Sequence, residues 1–222
     1  MATSSTPGPT RTWILILSPV VILTFGQFTI RLLAPALGGW SWAPFSIVYA
    51  GMLVLAIAFA GGRPRVRHWL RPSRGPWGWH ALAIAIPALL TLPIFIPNWR
   101  LLLSFNVLVG TLLFLLVNPL LEECYWRGTL LDATAGWPRW AAIAYSTGLF
   151  ALHHLWMGVI VAAGRHPSAL AGPVLMGLVW SLVYLKTGSL RWAIAGHLVA
   201  NLLSLSVPVF LGLYVPPAFP GG

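Results

Sequence analysis

The chain has 222 residues, of which 58% are hydrophobic and only 7% are charged, and its formal net charge is +10. So few charged residues cannot cover the surface of a soluble globular protein. The composition therefore predicts a protein that crosses a membrane several times. The only cysteine, Cys124, excludes an intramolecular disulfide and argues against a thiolate zinc site.

Apolar runs predict the membrane helices. A transmembrane helix requires about 20 mainly apolar residues, and we expect an all-α, polytopic membrane helical bundle of seven or eight such helices. Residues 1–12 would form a flexible tail, and residues 13–222 a single transmembrane domain. The seven predicted spans are Trp13–Thr29, Ala43–Ala60, Trp79–Ile96, Leu101–Glu123, Trp140–Ala163, Ala169–Leu185 and Trp192–Tyr214, of which the last is interrupted by Pro208 and could contain an eighth.

Positive charges predict the orientation, because short cytoplasmic loops are enriched in Lys and Arg. With the N-terminus inside, ten basic residues face the cytoplasm and three face the other side. The cytoplasmic set is Arg11, Arg63, Arg65, Arg67, Arg71, Arg74, Arg127, Arg139, Lys186 and Arg191. We expect the basic loop of residues 62–78 to contact anionic membrane lipids rather than nucleic acid. The expected location is a bacterial plasma membrane, with the N-terminus in the cytoplasm.

Only three carboxylate side chains occur in the chain, namely Glu122, Glu123 and Asp132. A carboxylate within a membrane costs about 2.5–3.5 kcal/mol, so each one there is a candidate functional residue. Glu123 and Arg127 are four residues apart on one helix face and are expected to pair, whereas Glu122 points elsewhere without a local cation. The alternative is that both glutamates form an interfacial charge patch. Asp132 is expected to be solvated on a cytoplasmic loop.

Three of the histidines lie inside predicted spans: His153 and His154 in the fifth and His197 in the seventh. His154 shares a helix face with Phe150, and His197 shares one with Asn201, since both pairs are four residues apart. We interpret His153 as a packing residue, because its neighbour occupies the Phe150 face.

An acid and two histidines from three spans at similar depth can catalyse hydrolysis in two ways. Glu122, His154 and His197 could bind a divalent metal such as zinc. Alternatively, Glu122 could act as a general base towards water while the histidines stabilise the oxyanion. The motifs of other membrane hydrolases are absent, because the chain has one Asp rather than two, no His-Glu-x-x-His and no Gly-x-Ser-Gly.

Three segments carry a family resemblance. They are Glu122-Glu123-Cys-Tyr-Trp-Arg127-Gly128, Phe150-Ala-Leu-His-His154 and His197-Leu-Val-Ala-Asn201. In this order they resemble the motifs E-E-x-x-x-R, F-x-x-x-H and H-x-x-x-N of the CPBP family, also called Abi, which includes type II CAAX prenyl endopeptidases and bacteriocin-processing enzymes. The resemblance covers residues 101–206, which would carry the catalytic core.

The resemblance implies an intramembrane endopeptidase whose active site opens towards the cytoplasm and whose substrate is a peptide or protein, lipidated or not. Glu122 would activate the water with the help of His154, while His197 and Asn201 would bind the oxyanion. Whether the enzyme is a metalloprotease, with Glu122, His154 and His197 as ligands, is left open. The supporting residues would be Glu123, Arg127 and Phe150.

Two other classes of function compete with a protease. A non-catalytic immunity or scaffold protein could bind a partner through the same cavity. A proton-coupled transporter could use intramembrane Glu and His residues as a proton relay, although the inverted repeats typical of transporters are not visible in the sequence.

Overall fold

The structure, a computed structural model, describes residues 8–156 and 170–214, and within these ranges every regular element is helical. The predicted all-α fold is thereby confirmed for the described residues. The α-helices are α1 (Pro9–Leu37), α2 (Trp42–Ala60), α3 (Gly62–Trp69), α4 (Trp77–Asn98), α5 (Phe105–Glu123), α6 (Leu130–Ala133), α7 (Arg139–Trp156), α8 (Ala171–Thr187), α9 (Arg191–Leu203) and α10 (Ser206–Phe210). A π-helical turn, Cys124–Thr129, joins α5 to α6.

Three helical stretches of the described residues are long and apolar enough to cross a membrane: Pro9–Ala60, Trp77–Leu103 and Phe105–Ala133. The first contains both α1 and α2. Large apolar side chains on these helices face outwards, and Phe105 and Leu116 are 77% and 71% exposed. Such an exposed apolar surface is typical of a protein that contacts lipid. The predicted number of seven or eight spans stays a prediction, and residues 157–163 of the predicted fifth span lie outside the described residues.

The final predicted span is interrupted, but not at Pro208. Helix α9 ends at Leu203, and Leu205 has a left-handed backbone conformation with φ 55°. Pro208 lies inside α10, in its first turn, where a residue without an N–H group removes no hydrogen bond within the helix. The five residues of α10 are too short to cross a membrane.

Asp132 connects helices at one end of the bundle: its side chain keeps 23% exposure, but it also has partners that the expectation of a solvated loop residue did not include. Its carboxylate accepts hydrogen bonds from the indole N–H of Trp69 at 2.9 Å and from the hydroxyl of Tyr184 at 2.9 Å. It also forms an ion pair with Arg65 at 2.8 Å. Two of these partners lie on α3, which replaces part of the loop that the sequence predicted for residues 62–78. Polar donors from α3 and α8 thus converge on the one acid outside the Glu122–Glu123 pair.

Close packing between α4 and α9 positions the helix that carries His197. Gly196 allows this approach, because a Cβ atom there would lie 1.9 Å from the carbonyl oxygen of Ala83 and 2.8 Å from Nε1 of Trp180. The indole N–H of Trp180 donates to the same carbonyl at 3.1 Å. Small residues are typical at contacts between membrane helices because they let backbones approach.

We expect Gly196→Ala to separate α4 from α9 and to destabilise the protein by at least about 1–3 kcal/mol, the usual cost of overpacking. Gly148→Ala is the matched control, because this helical glycine has nothing within 4 Å of its Cβ position. Thermal unfolding of the purified proteins in detergent, followed by tryptophan fluorescence, measures both. Equal melting temperatures for the two variants would contradict the packing argument.

Candidate active site

A cavity of about 630 Å³ opens between the helices, and most of its wall is hydrophobic. Helices α2, α4, α5, α7, α8, α9 and α10 contribute to it. The sequence-predicted residues that line it are Glu122, Phe150, His154, His197 and Asn201. An apolar cavity with a few converging polar groups is the usual form of a binding or catalytic site.

Glu123 and Arg127 form a fully buried ion pair beside this cavity. Nη1 of Arg127 donates to Oε1 of Glu123 at 2.8 Å, and both side chains have 0% exposure. The expected contact between the two residues is therefore present. It lies where α5 passes into the π-helical turn, and such turns often occur at functional sites.

Aromatic rings and a glycine make room for the buried guanidinium. The central carbon of Arg127 lies 4.2 Å from the centroid of the Phe150 ring and 5.4 Å from that of Trp180. A Cβ atom at Gly177 on α8 would lie 3.2 Å from Nη2 of Arg127. Arginine stacks favourably on aromatic faces, and this partly compensates for its loss of solvation. Phe150 thus supports the ion pair as well as the cavity wall.

The same oxygen of Glu123 orients His197. Nδ1 of His197 lies 2.8 Å from Oε1 of Glu123, and its ring stacks on Trp180 with centroids 4.7 Å apart and an angle of 16° between planes. Because an ionised carboxylate only accepts hydrogen bonds, Nδ1 carries the hydrogen. The other ring nitrogen, Nε2, is directed at Glu122, 3.6 Å from Oε2.

Glu122 is buried like its neighbour but has a different environment. It is 3% exposed, and Oε2 has no hydrogen-bond partner within the described residues. The 3.6 Å separation from His197 exceeds a normal hydrogen bond. Nε2 of His153 lies 3.9 Å from Oε1, and the Tyr49 side chain also interacts with this carboxylate. Glu122 therefore combines a buried carboxylate with a position in the cavity wall, which Glu123 does not share.

The division of His153 as a packing residue and His154 as a site residue, which the sequence predicted, is incomplete. His153 does pack, with its ring stacked on Tyr49 at 4.5 Å, but it also lies beside Glu122, which we had not predicted. His154 lines the cavity, and its Nδ1 lies 2.8 Å from the carbonyl oxygen of Phe150. Among the described ion pairs of Glu122, His153 takes part and His154 does not.

Asn201 presents a free amide nitrogen at the cavity. Its Oδ1 accepts from the hydroxyl of Ser206 at 3.5 Å, whereas the buried Nδ2 has no partner within the described part of the chain. An amide N–H that is not engaged in the protein can donate to a developing negative charge.

The residues do not assemble into a metal site. Within residues 8–156 and 170–214, no group of three or more His, Cys, Asp or Glu side chains is arranged to hold a metal ion. The predicted ligand set Glu122, His154 and His197 shares one cavity, but it does not fit a metal ion as placed.

The sequence reasoning missed Tyr49 and Trp180. Trp180 fixes the ring of His197 from one side, and Tyr49 reaches Glu122 from α2. Neither residue belongs to the three motifs. The only available signal was a hydroxyl or an indole N–H within an apolar span, which must find a partner when buried.

Comparison with known families agrees with the motif assignment. Residues 104–203 match the family described as type II CAAX prenyl endopeptidase Rce1-like, which confirms the resemblance found in the sequence. This family implies a CAAX protease, that is, a peptide hydrolase with a peptide or protein substrate. In the corresponding comparisons, no curated protein and no solved structure matches the chain.

Removing the Arg127 guanidinium tests how much the stability of the protein depends on the buried ion pair. We expect Arg127→Met to destabilise the protein by about 3–5 kcal/mol, because it leaves the Glu123 carboxylate buried without its cation. The double variant Glu123→Gln with Arg127→Met should lose less than the sum of the two single variants. Denaturation in detergent measures all three, and additive losses would contradict a direct coupling.

Proposed function

Because residues 104–203 form a domain of the type II CAAX prenyl endopeptidase Rce1-like family, we propose that this chain is an intramembrane endopeptidase in which Glu122 activates the attacking water. One observation carries this proposal: Glu122 lines the cavity, whereas Glu123 does not and is engaged through Oε1 by Arg127 and His197. Glu122 is thus the acid that borders the space a substrate would occupy.

Glu122 takes a proton from the water, and the hydroxide oxygen attacks the carbonyl carbon of the scissile peptide bond. Glu122 then returns this proton to the leaving nitrogen as the C–N bond breaks, which yields a carboxylic acid and an amine. The same group acts first as base and then as acid. His154, which lines the cavity with Glu122, assists in positioning the water.

His197 and Asn201 stabilise the oxyanion of the tetrahedral intermediate. Asn201 offers Nδ2, which has no partner among the described residues. Nδ1 of His197 is engaged by Glu123, which leaves Nε2 as the ring nitrogen that would donate to the oxyanion. Preorganised donors in a low-dielectric cavity favour the charged intermediate strongly.

The substrate is a peptide bond beside a lipidated or hydrophobic segment. Support comes from the cavity of about 630 Å³, whose wall is mainly hydrophobic except around Glu122. The distribution of positive charges in the sequence supports a topology with the N-terminus and the opening of the site at the cytoplasmic face. The protein is accordingly an integral membrane protein in contact with lipid.

Glu122→Gln should lower the rate of peptide hydrolysis by a factor on the order of 10² to 10⁴, because it removes the general base and changes the volume little. The assay uses protein in liposomes with a farnesylated CAAX peptide and its unprenylated counterpart, and mass spectrometry identifies the products. Asp132→Asn is the matched control, since it makes the same chemical change outside the cavity. Full activity of Glu122→Gln would refute the mechanism, and no hydrolysis of either peptide by the wild type would refute the proposed activity.

Asn201→Ala should lower kcat by a factor on the order of 10² to 10³ with a smaller effect on KM, because the lost N–H group acts on the intermediate. Asn98→Ala provides the comparison, since its side-chain amide donates to the Ile94 carbonyl within α4. Similar kcat values for the two variants would remove Asn201 from the oxyanion site.

A further inference from the structure

Helix α2 lies outside the segment that matches the family, yet it contributes Tyr49 to the wall of the cavity. The side chain is 4% exposed, and it interacts with the carboxylate of Glu122. No residue of the three motifs corresponds to it. A buried hydroxyl beside the proposed base therefore comes from the half of the chain to which no chemistry has been assigned.

The hydrogen bonding of Tyr49 has a defined direction. The indole Nε1 of Trp126 lies 3.2 Å from the Tyr49 oxygen, and an indole N–H can only donate. The Tyr49 oxygen is thus an acceptor towards Trp126, and its own hydrogen remains for another partner. The carboxylate of Glu122, which lines the same cavity, is the acceptor that we assign to this hydrogen.

The ring of Tyr49 is held in place on its faces. It stacks on His153 with centroids 4.5 Å apart and planes at 12°, and on Phe45 with centroids 5.6 Å apart and planes at 11°. The hydroxyl is therefore fixed before any substrate binds. Groups held in this way can orient a catalytic residue without reorganisation during the reaction.

We propose that Tyr49 is a positioning residue for Glu122. Its hydroxyl holds the carboxylate in the orientation in which Oε2 lies 3.6 Å from Nε2 of His197. This inference rests on the proposed function, because it assigns Tyr49 a role in the same reaction. A purely structural tyrosine would satisfy its hydroxyl without affecting how Glu122 works.

The small number of acids permits a direct test of the contact. Glu122 and Glu123 are the only glutamates in the chain, so protein labelled with ¹³C at the glutamate δ-carboxyl gives two side-chain carboxyl resonances. Glu122→Gln identifies the resonance of Glu122. We expect Tyr49→Phe to shift this resonance and to leave that of Glu123 in place.

Tyr125→Phe is the matched control, because this buried tyrosine directs its hydroxyl to Ser18 at 2.8 Å. It should shift neither resonance. Trp126→Phe is a second variant that removes the N–H group orienting the Tyr49 hydroxyl, and it should shift the Glu122 resonance as well. An unchanged Glu122 resonance in Tyr49→Phe would overturn the proposed contact, whatever the activity of the protein.

Measurements of kcat and KM distinguish a positioning role of Tyr49 from a role in folding alone. With the farnesylated CAAX peptide, Tyr49→Phe should lower kcat on the order of 10- to 100-fold with little change in KM, because the base is misplaced while the cavity is retained. In a Glu122→Asp background, whose shorter side chain no longer reaches the same position, the further loss caused by Tyr49→Phe should be much smaller. If Tyr49→Phe lowers kcat equally in the wild-type and Glu122→Asp backgrounds, or leaves the wild-type kcat unchanged, the positioning role alone is overturned. Failure of the proposed function has a separate signature, since Glu122→Gln would then remain active.

Discussion

The buried ion pair of Glu123 and Arg127 is the interaction on which the rest of the site depends. Both side chains have 0% exposure in a chain that contains only three acids. Removing two charges from water is costly unless their geometry and additional partners compensate. Here the compensation comes from other helices, because the guanidinium lies against Phe150 on α7 and the carboxylate also accepts from His197 on α9. The pair therefore joins the three motif helices at one point.

Two adjacent glutamates have opposite environments as a consequence of helix geometry. Successive side chains on a helix diverge by about 100°, so Glu123 is directed at Arg127 and His197 while Glu122 is directed at the cavity. Oε1 of Glu123 accepts twice, and Oε2 of each glutamate has no hydrogen-bond partner in the described residues. The neighbouring ion pair is not fully satisfied either, because Nε and Nη2 of Arg127 have no hydrogen-bond partner in the described residues.

The two halves of the chain contribute differently to the cavity. Residues 104–203 match the protease family and supply the acid, the histidines and Asn201. Helices α2 and α4 precede this segment and complete the wall, with Tyr49 on α2 beside Glu122 and Ala83 on α4 against the Trp180 indole. Trp180 in turn stacks on the ring of His197. The N-terminal half thus restrains groups that belong to the matched half.

The sequence by itself determined the helical class, the membrane environment, the three motifs and the i, i+4 pairing of Glu123 with Arg127. These features follow from composition and from spacing along one helix, which are local properties of the chain. Only the tertiary structure placed Tyr49 and His153 beside Glu122, gave Asp132 its partners on α3 and α8, and ended α9 before Pro208. Each of these depends on contacts between residues far apart in sequence, and no local pattern specifies which helix faces will meet.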